Sequence, residues 1–191
     1  MRWFALVIVV AVATTAPAQA RLVITFYSHS LGTYGTGIAF PHGYVTIVGT
    51  MDSGFRVDAN FGFTAPGAPL DMLWHPVEGA LDIEPDDYIR QGKAQFSLPI
   101  SDDQYRAVWA VAEKWRTYPQ PSYDLDTHNC VTFVKEMAIA VGLSVSEDKK
   151  FIHAPAAFLE DVASRNSDLL ARANNALLKP EAMPASATSS N

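Results

Sequence analysis

Residues 127–143 read THNCVTFVKEMAIAVGL, and this stretch decides the fold. From Val131 to Val141 no glycine or proline interrupts, and Gly142 stands where helices commonly close. A helix therefore begins near Cys130. At helical spacing Phe133, Val134, Met137 and Val141 share the face of Cys130, an apolar stripe that must be buried on another layer. The β-branched and aromatic runs upstream supply that layer.

Residues 22–27 (LVITFY) and 44–51 (YVTIVGTM) read as strands, and the glycine-rich GTYGTGIAFPHG between them reads as a loop. Asp52-Ser53-Gly54 has turn chemistry and 55–63 (FRVDANFGF) returns, so an antiparallel hairpin is expected. A Pro- and acid-rich connection spans 65–87. After it, 94–100 (AQFSLPI) adds an edge strand, where Pro99 costs little. Ser101-Asp102-Asp103-Gln104 forms a capping box, followed at helical spacing by Tyr105, Val108, Trp109, Ala112 and Trp115. Pro155 opens a third helix to about residue 170. The small, polar, Pro-containing end is read as a disordered tail over 173–191. One α+β domain is expected over 21–172, a small antiparallel sheet packed against helices.

Upstream of that domain, Met1-Arg2, the apolar run Trp3 to Val12 and Ala18-Gln19-Ala20 form the three parts of a signal peptide over 1–20. Cleavage is expected after Ala20, and the mature protein is expected to be secreted or periplasmic. Apart from this segment no stretch reaches the roughly 18 apolar residues of a membrane span. Over 191 residues, 14 Lys+Arg stand against 20 Asp+Glu, a net charge of -6 with no basic cluster. Nucleic acid is thereby set aside as a partner. Cys130 is the single cysteine. An exported chain cannot pair it internally, so the lone thiol needs a chemical reason.

At the first turn of a helix, unsatisfied N–H groups and the dipole favour thiolate over thiol, which suits a nucleophile. The alternative is a small hydrophobe packed in a core. Among five histidines, His42 follows Pro41 at the mouth of a strand, from which an imidazole can meet a helix N-terminus packed on the sheet. His128 is two residues from Cys130, a spacing that does not face it, and is expected to cap or to meet water. His29, His75 and His153 are expected at the surface. A third polar group should accept from the second ring nitrogen. The returning strand offers Asp58 and Asn60, which alternation puts on one face. Asn60 is preferred because it lies nearer the end of the strand that approaches His42. No His pair at four-residue spacing and no cysteine cluster suggests zinc, and the glycines precede no phosphate-loop Lys, so no cofactor or metal is expected.

A His opening a strand in AFPHGYVTIVG, a hairpin strand ending NFGFTAPG, then THNCVTFVKEMAIAVGL and APAAFLEDV downstream together resemble the circularly permuted branch of the NlpC-type, papain-like cysteine hydrolases. The lecithin:retinol acyltransferase group belongs to that branch, and Asn129-Cys130-x-x-Phe133-Val134 is similar to its nucleophile motif. The resemblance spans roughly residues 40–162. It implies a permuted papain-like fold in which His precedes Cys, with Cys130 as nucleophile, His42 as base and Asn60 or Asp58 as orienting group. The acyltransferase pattern carries a second His on that strand, which this chain lacks. The expected activity is acyl transfer to water through a Cys130 thioester, first on cell-wall peptides as an amidase or endopeptidase. A lipid acyltransferase or thioesterase, and a non-catalytic binding domain of the same fold, are the alternatives.

Overall fold

The computed structural model describes residues 22–34, 38–67 and 70–178. The expected signal peptide, and the tail beyond 178, lie outside the described residues. Among the described residues five strands form one sheet: β1 (Leu22–Tyr34), β2 (Ile38–Thr50), β3 (Arg56–Thr64), β4 (Ala80–Asp82) and β5 (Lys93–Ile100). Their order is β4-β3-β2-β1-β5, with every neighbouring pair antiparallel. Among the described residues the helices are α1 (Asp86–Gln91), α2 (Asp102–Arg116), α3 (Cys130–Ala140), α4 (Pro155–Arg165) and α5 (Ser167–Leu178). The fold class is α+β. No helix among the described residues is long and apolar enough to cross a membrane.

Alternation along the strands builds the core. Leu22, Ile24 and Phe26 of β1, Val45 and Ile47 of β2, Val57, Phe61 and Phe63 of β3, and Leu98 and Ile100 of β5 are all buried. Helix α3 lies against β2 and β3 and α4 against β1, β2 and β5, contributing Phe133, Val134, Met137, Phe158, Leu159 and Val162. Phe63 is the junction: its ring meets Trp115 of α2 edge-on at 4.7 Å and Phe133 of α3 at 6.3 Å. Ser101 and Gln104 form the capping box of α2, Gly142 closes α3 with φ of 85°, and β5 with its Pro99 is an edge strand.

Three expectations change in the structure. The glycine-rich segment read as a loop is mostly ladder, because β1 runs to Tyr34 and β2 begins at Ile38. The register slips between His29 and Gly32, opposite the Phe40–His42 segment, so the proline sits where regular pairing is already interrupted. Helix α4 ends at Arg165 and α5 begins at Ser167. Asn166 makes the break by accepting from Ser144 N–H (3.0 Å) and donating to the carbonyls of Ser144 (2.8 Å) and Val162 (2.7 Å). Helix α5 also runs to Leu178, past the expected boundary at 172/173, with Leu170 in the core.

The fold positions the site through one mismatch of strand length. Pairing of β2 with β3 begins at Tyr44↔Gly62. Pro41, His42 and Gly43 therefore lie beyond β3's ladder, and on that edge of β2, opposite its pairing with β1, backbone groups remain for a neighbour other than a strand. The N-terminus of α3 occupies that place. Gly43 permits the approach, since a side chain there would press on Pro155 at 3.2 Å and Val134 at 3.5 Å.

Candidate active site

Cys130 is the first residue of α3, and Asn129 caps it. The Asn129 Oδ1 accepts from the N–H groups of Val131 (2.8 Å) and Thr132 (3.2 Å), while the Thr132 hydroxyl accepts from Asn129 N–H (2.8 Å). Its Nδ2 donates to the carbonyls of Leu125 (2.6 Å) and Ile152 (2.9 Å), tying two loops to the helix start. The cap uses Val131 and Thr132 and leaves Cys130's own N–H beside the sulfur.

The Cys130 side chain is buried, 3.9 Å from the Pro41 carbonyl. Around it stand His42, the Gly43 N–H and the Tyr123 hydroxyl, each a hydrogen-bonding partner of the sulfur. The Tyr123 oxygen also accepts from Cys130 N–H. Tyr123 is held by paired backbone bonds to Val77, both 2.9 Å, and by stacking on Phe63 at 5.5 Å.

His42 connects this group to a carboxylate. Its Nε2 lies 2.9 Å from Glu84 Oε1, with both residues buried, which leaves Nδ1 as the nitrogen for Cys130. Burial alone would lower the imidazole's pKa, but the bonds and charges of Cys130 and Glu84 outweigh it and raise it to about 10. Burial likewise pushes the Cys130 thiol up, and the hydrogen bond and charge of His42, with Gly43 N–H and Tyr123, bring it below the usual thiol range. Thiolate and imidazolium thus stabilise each other. Burial and the neighbouring Cys130 raise the Tyr123 phenol well above its ordinary value, so it stays a donor.

Of the residues expected from sequence, Cys130 and His42 are brought together. Asn60 is placed one step further out: its Oδ1 accepts from Glu84 N–H (2.6 Å) and its Nδ2 donates to the Glu84 carbonyl (3.2 Å). It grips the main chain of the carboxylate residue and does not touch the imidazole. Asp58 is exposed on β3 opposite Val48. Sequence carries no signal that singles out Glu84 in the acid-rich LDIEPDD run (81–87) that joins β4 to α1. Register places it. Gly62 pairs with Tyr44 on one side and Asp82 on the other; Glu84, two residues past Asp82, is held by its main chain to Asn60, and its side chain meets that of His42 over Gly62. A Cβ at Gly62 would come within 2.5 Å of Glu84 Oε1 and 2.8 Å of His42 Nε2, so only glycine leaves room for the pair.

The other histidines are elsewhere. His128, expected to cap or meet water, is instead stacked on Trp115 at 3.7 Å, with its Nδ1 2.6 Å from the Ser122 carbonyl. His29, expected at the surface, is half-buried and stacks on Tyr88 at 4.5 Å. His75 and His153 are exposed, as expected, His153 paired with Asp126 at 2.9 Å.

No family model matches the chain, and no curated protein matches it. Among solved structures it is similar to the crystal structure of a type VI secretion system effector, TseH, with a TM-score of 0.48 and 14% identity. The match covers 77% of this chain and 90% of that one. A likeness of that extent carries no statement of activity, and the functional reading rests on the site.

Proposed function

We propose that this protein is a cysteine hydrolase acting through a Cys130 acyl-enzyme. The observation that carries the reading is the buried relay in which the Cys130 sulfur meets His42 and His42 Nε2 meets Glu84 Oε1 at 2.9 Å. A nucleophile, a base and an orienting carboxylate follow one another in hydrogen-bond reach. The Cys130 thiolate attacks the carbonyl carbon, and Cys130 N–H and the Tyr123 hydroxyl, which at rest bond one another and the sulfur, turn to the oxyanion as it forms. On collapse the bond to the leaving group breaks, and imidazolium His42 gives that group its proton. Neutral His42 then takes a proton from water as hydroxide attacks the thioester, restoring thiolate and imidazolium and releasing the carboxylic acid. Glu84 keeps Nε2–H bonded throughout, so Nδ1 always faces the sulfur. Asn60 positions Glu84.

The resemblance to permuted NlpC-type hydrolases and the export signal expected over 1–20 both favour cell-wall peptide amides as first substrate. The test is incubation of the protein beginning at Arg21 with wall peptide fragments, together with a thiol-directed activity probe. Release of a new amine and labelling of Cys130 are expected in the parent, and neither in Cys130→Ala. A Cys130 that reacts only after denaturation would establish a non-catalytic domain.

A further inference from the structure

Beside the sulfur lies a cavity of about 190 Å³. Its walls come from four separate segments: Phe40 at the start of β2, Met72 on the helical turn Asp71–Leu73, Tyr123 and Leu125 before α3, and Ile152 and Pro155 before and at the start of α4. Cys130 is itself a wall residue. Among the described residues no Asp, Glu, Lys or Arg side chain lines the cavity. Its one imidazole, His153, is already bonded through Nε2 to Asp126 Oδ1 (2.9 Å) and the Leu125 carbonyl (3.1 Å). A charged group entering here would lose its hydration with no opposite charge to replace it. Apolar surface would gain by leaving water.

Size narrows the ligand further. Pockets for drug-sized molecules span about 300–1,000 Å³, so this one holds a single side chain or a short acyl group and excludes a long acyl chain. Position narrows it again. Cys130 is a wall residue and His42 is not, so the cavity opens on the sulfur and not on the imidazole that serves the leaving group.

Building on the hydrolase reading, we infer that this cavity is the acyl-side subsite, and that it selects substrates bearing one small, uncharged, apolar group next to the carbonyl that Cys130 attacks. Asn129 holds it in shape, because its Nδ2 bonds both Leu125 and Ile152 from opposite walls.

The experiment measures second-order labelling of Cys130 by N-acetyl aminoacyl acyloxymethyl ketones with Leu, Val, Gly, Glu or Lys side chains. Iodoacetamide, which needs no subsite, is run beside them. The Leu and Val ketones should outrun Gly, Glu and Lys by roughly tenfold or more, the discrimination that a few methylenes bring in an apolar pocket. In Met72→Glu, and separately in Leu125→Trp, the Leu-to-Gly rate ratio should fall to about one, with folding checked by thermal melting. Equal rates for all five ketones, or preference for Glu or Lys, with fast iodoacetamide labelling would overturn the subsite and leave the hydrolase reading standing. Iodoacetamide labelling no faster than that of free cysteine would overturn both.

Discussion

Replacing Glu84 by Gln keeps the shape and the hydrogen-bond acceptor at 2.9 Å from His42 Nε2 and removes only the charge. Because the Glu84 side chain is fully buried and that of His42 nearly so, solvent screens little of their attraction. An opposite charge at this range moves a neighbour's pKa by about 1–3 units, and each unit is about 1.4 kcal/mol. His42, held up at about 10 by Cys130 and Glu84, should fall, and Cys130, which depends on imidazolium for its low pKa, should rise. The imidazolium loses the carboxylate that orients it and balances its charge, and kcat/KM at pH 7 should drop roughly tenfold or more. Stability should move little, because removing a buried charge while keeping the hydrogen bond relieves desolvation as it loses attraction. The assay pairs kcat/KM on a wall-peptide or acyl-ester substrate with a thermal melt, in which about 4 °C separates a small effect from a structural one. A folded Glu84→Gln variant within about twofold of the parent would refute the argument that this carboxylate acts through the imidazole.

Iodoacetamide labelling of Cys130 should stay fast at about pH 6, below the ordinary thiol value near 8.5, since its folded pKa is lowered and His42 keeps its proton up to about 10. His42→Ala should return the profile to the alkaline range. Asn60→Ala, which frees both main-chain groups of Glu84, should cost about 1–3 kcal/mol of stability and lower activity, while exposed Asp58→Ala should match the parent in melting and turnover. Gly62→Ala should displace the His42–Glu84 contact and reduce kcat/KM roughly tenfold or more with secondary structure retained by circular dichroism. Mass spectrometry of the exported protein should find Arg21 at the N-terminus, and recovery of full-length chain in the membrane would remove the wall as first substrate.

The sequence alone determined what local rules govern. The uninterrupted run after Asn129 with Gly142 behind it is α3, the Ser101–Gln104 box starts α2, and Asp52-Ser53-Gly54 turns the β2–β3 hairpin. The placing of Cys130 at a helix start followed from the same rules; His42, expected at a strand mouth, stands inside β2 just before its pairing with β3 begins. Tertiary structure decided what no local rule reaches. The ladder carried β1 to Tyr34 and began β2 at Ile38 in a segment that composition assigns to a loop, because backbone N–H and C=O groups pair where a neighbouring strand is within reach. Asn60 and Glu84 show the same limit at the site. Alternation identified the strand beside His42 but not how far the carboxylate sits beyond it, since Glu84 arrives from a connection whose path depends on β4 pairing with β3 at Gly62↔Asp82. One acid among many in an acidic run becomes the buried partner of an imidazole only when non-local pairing carries it across a glycine that leaves it room.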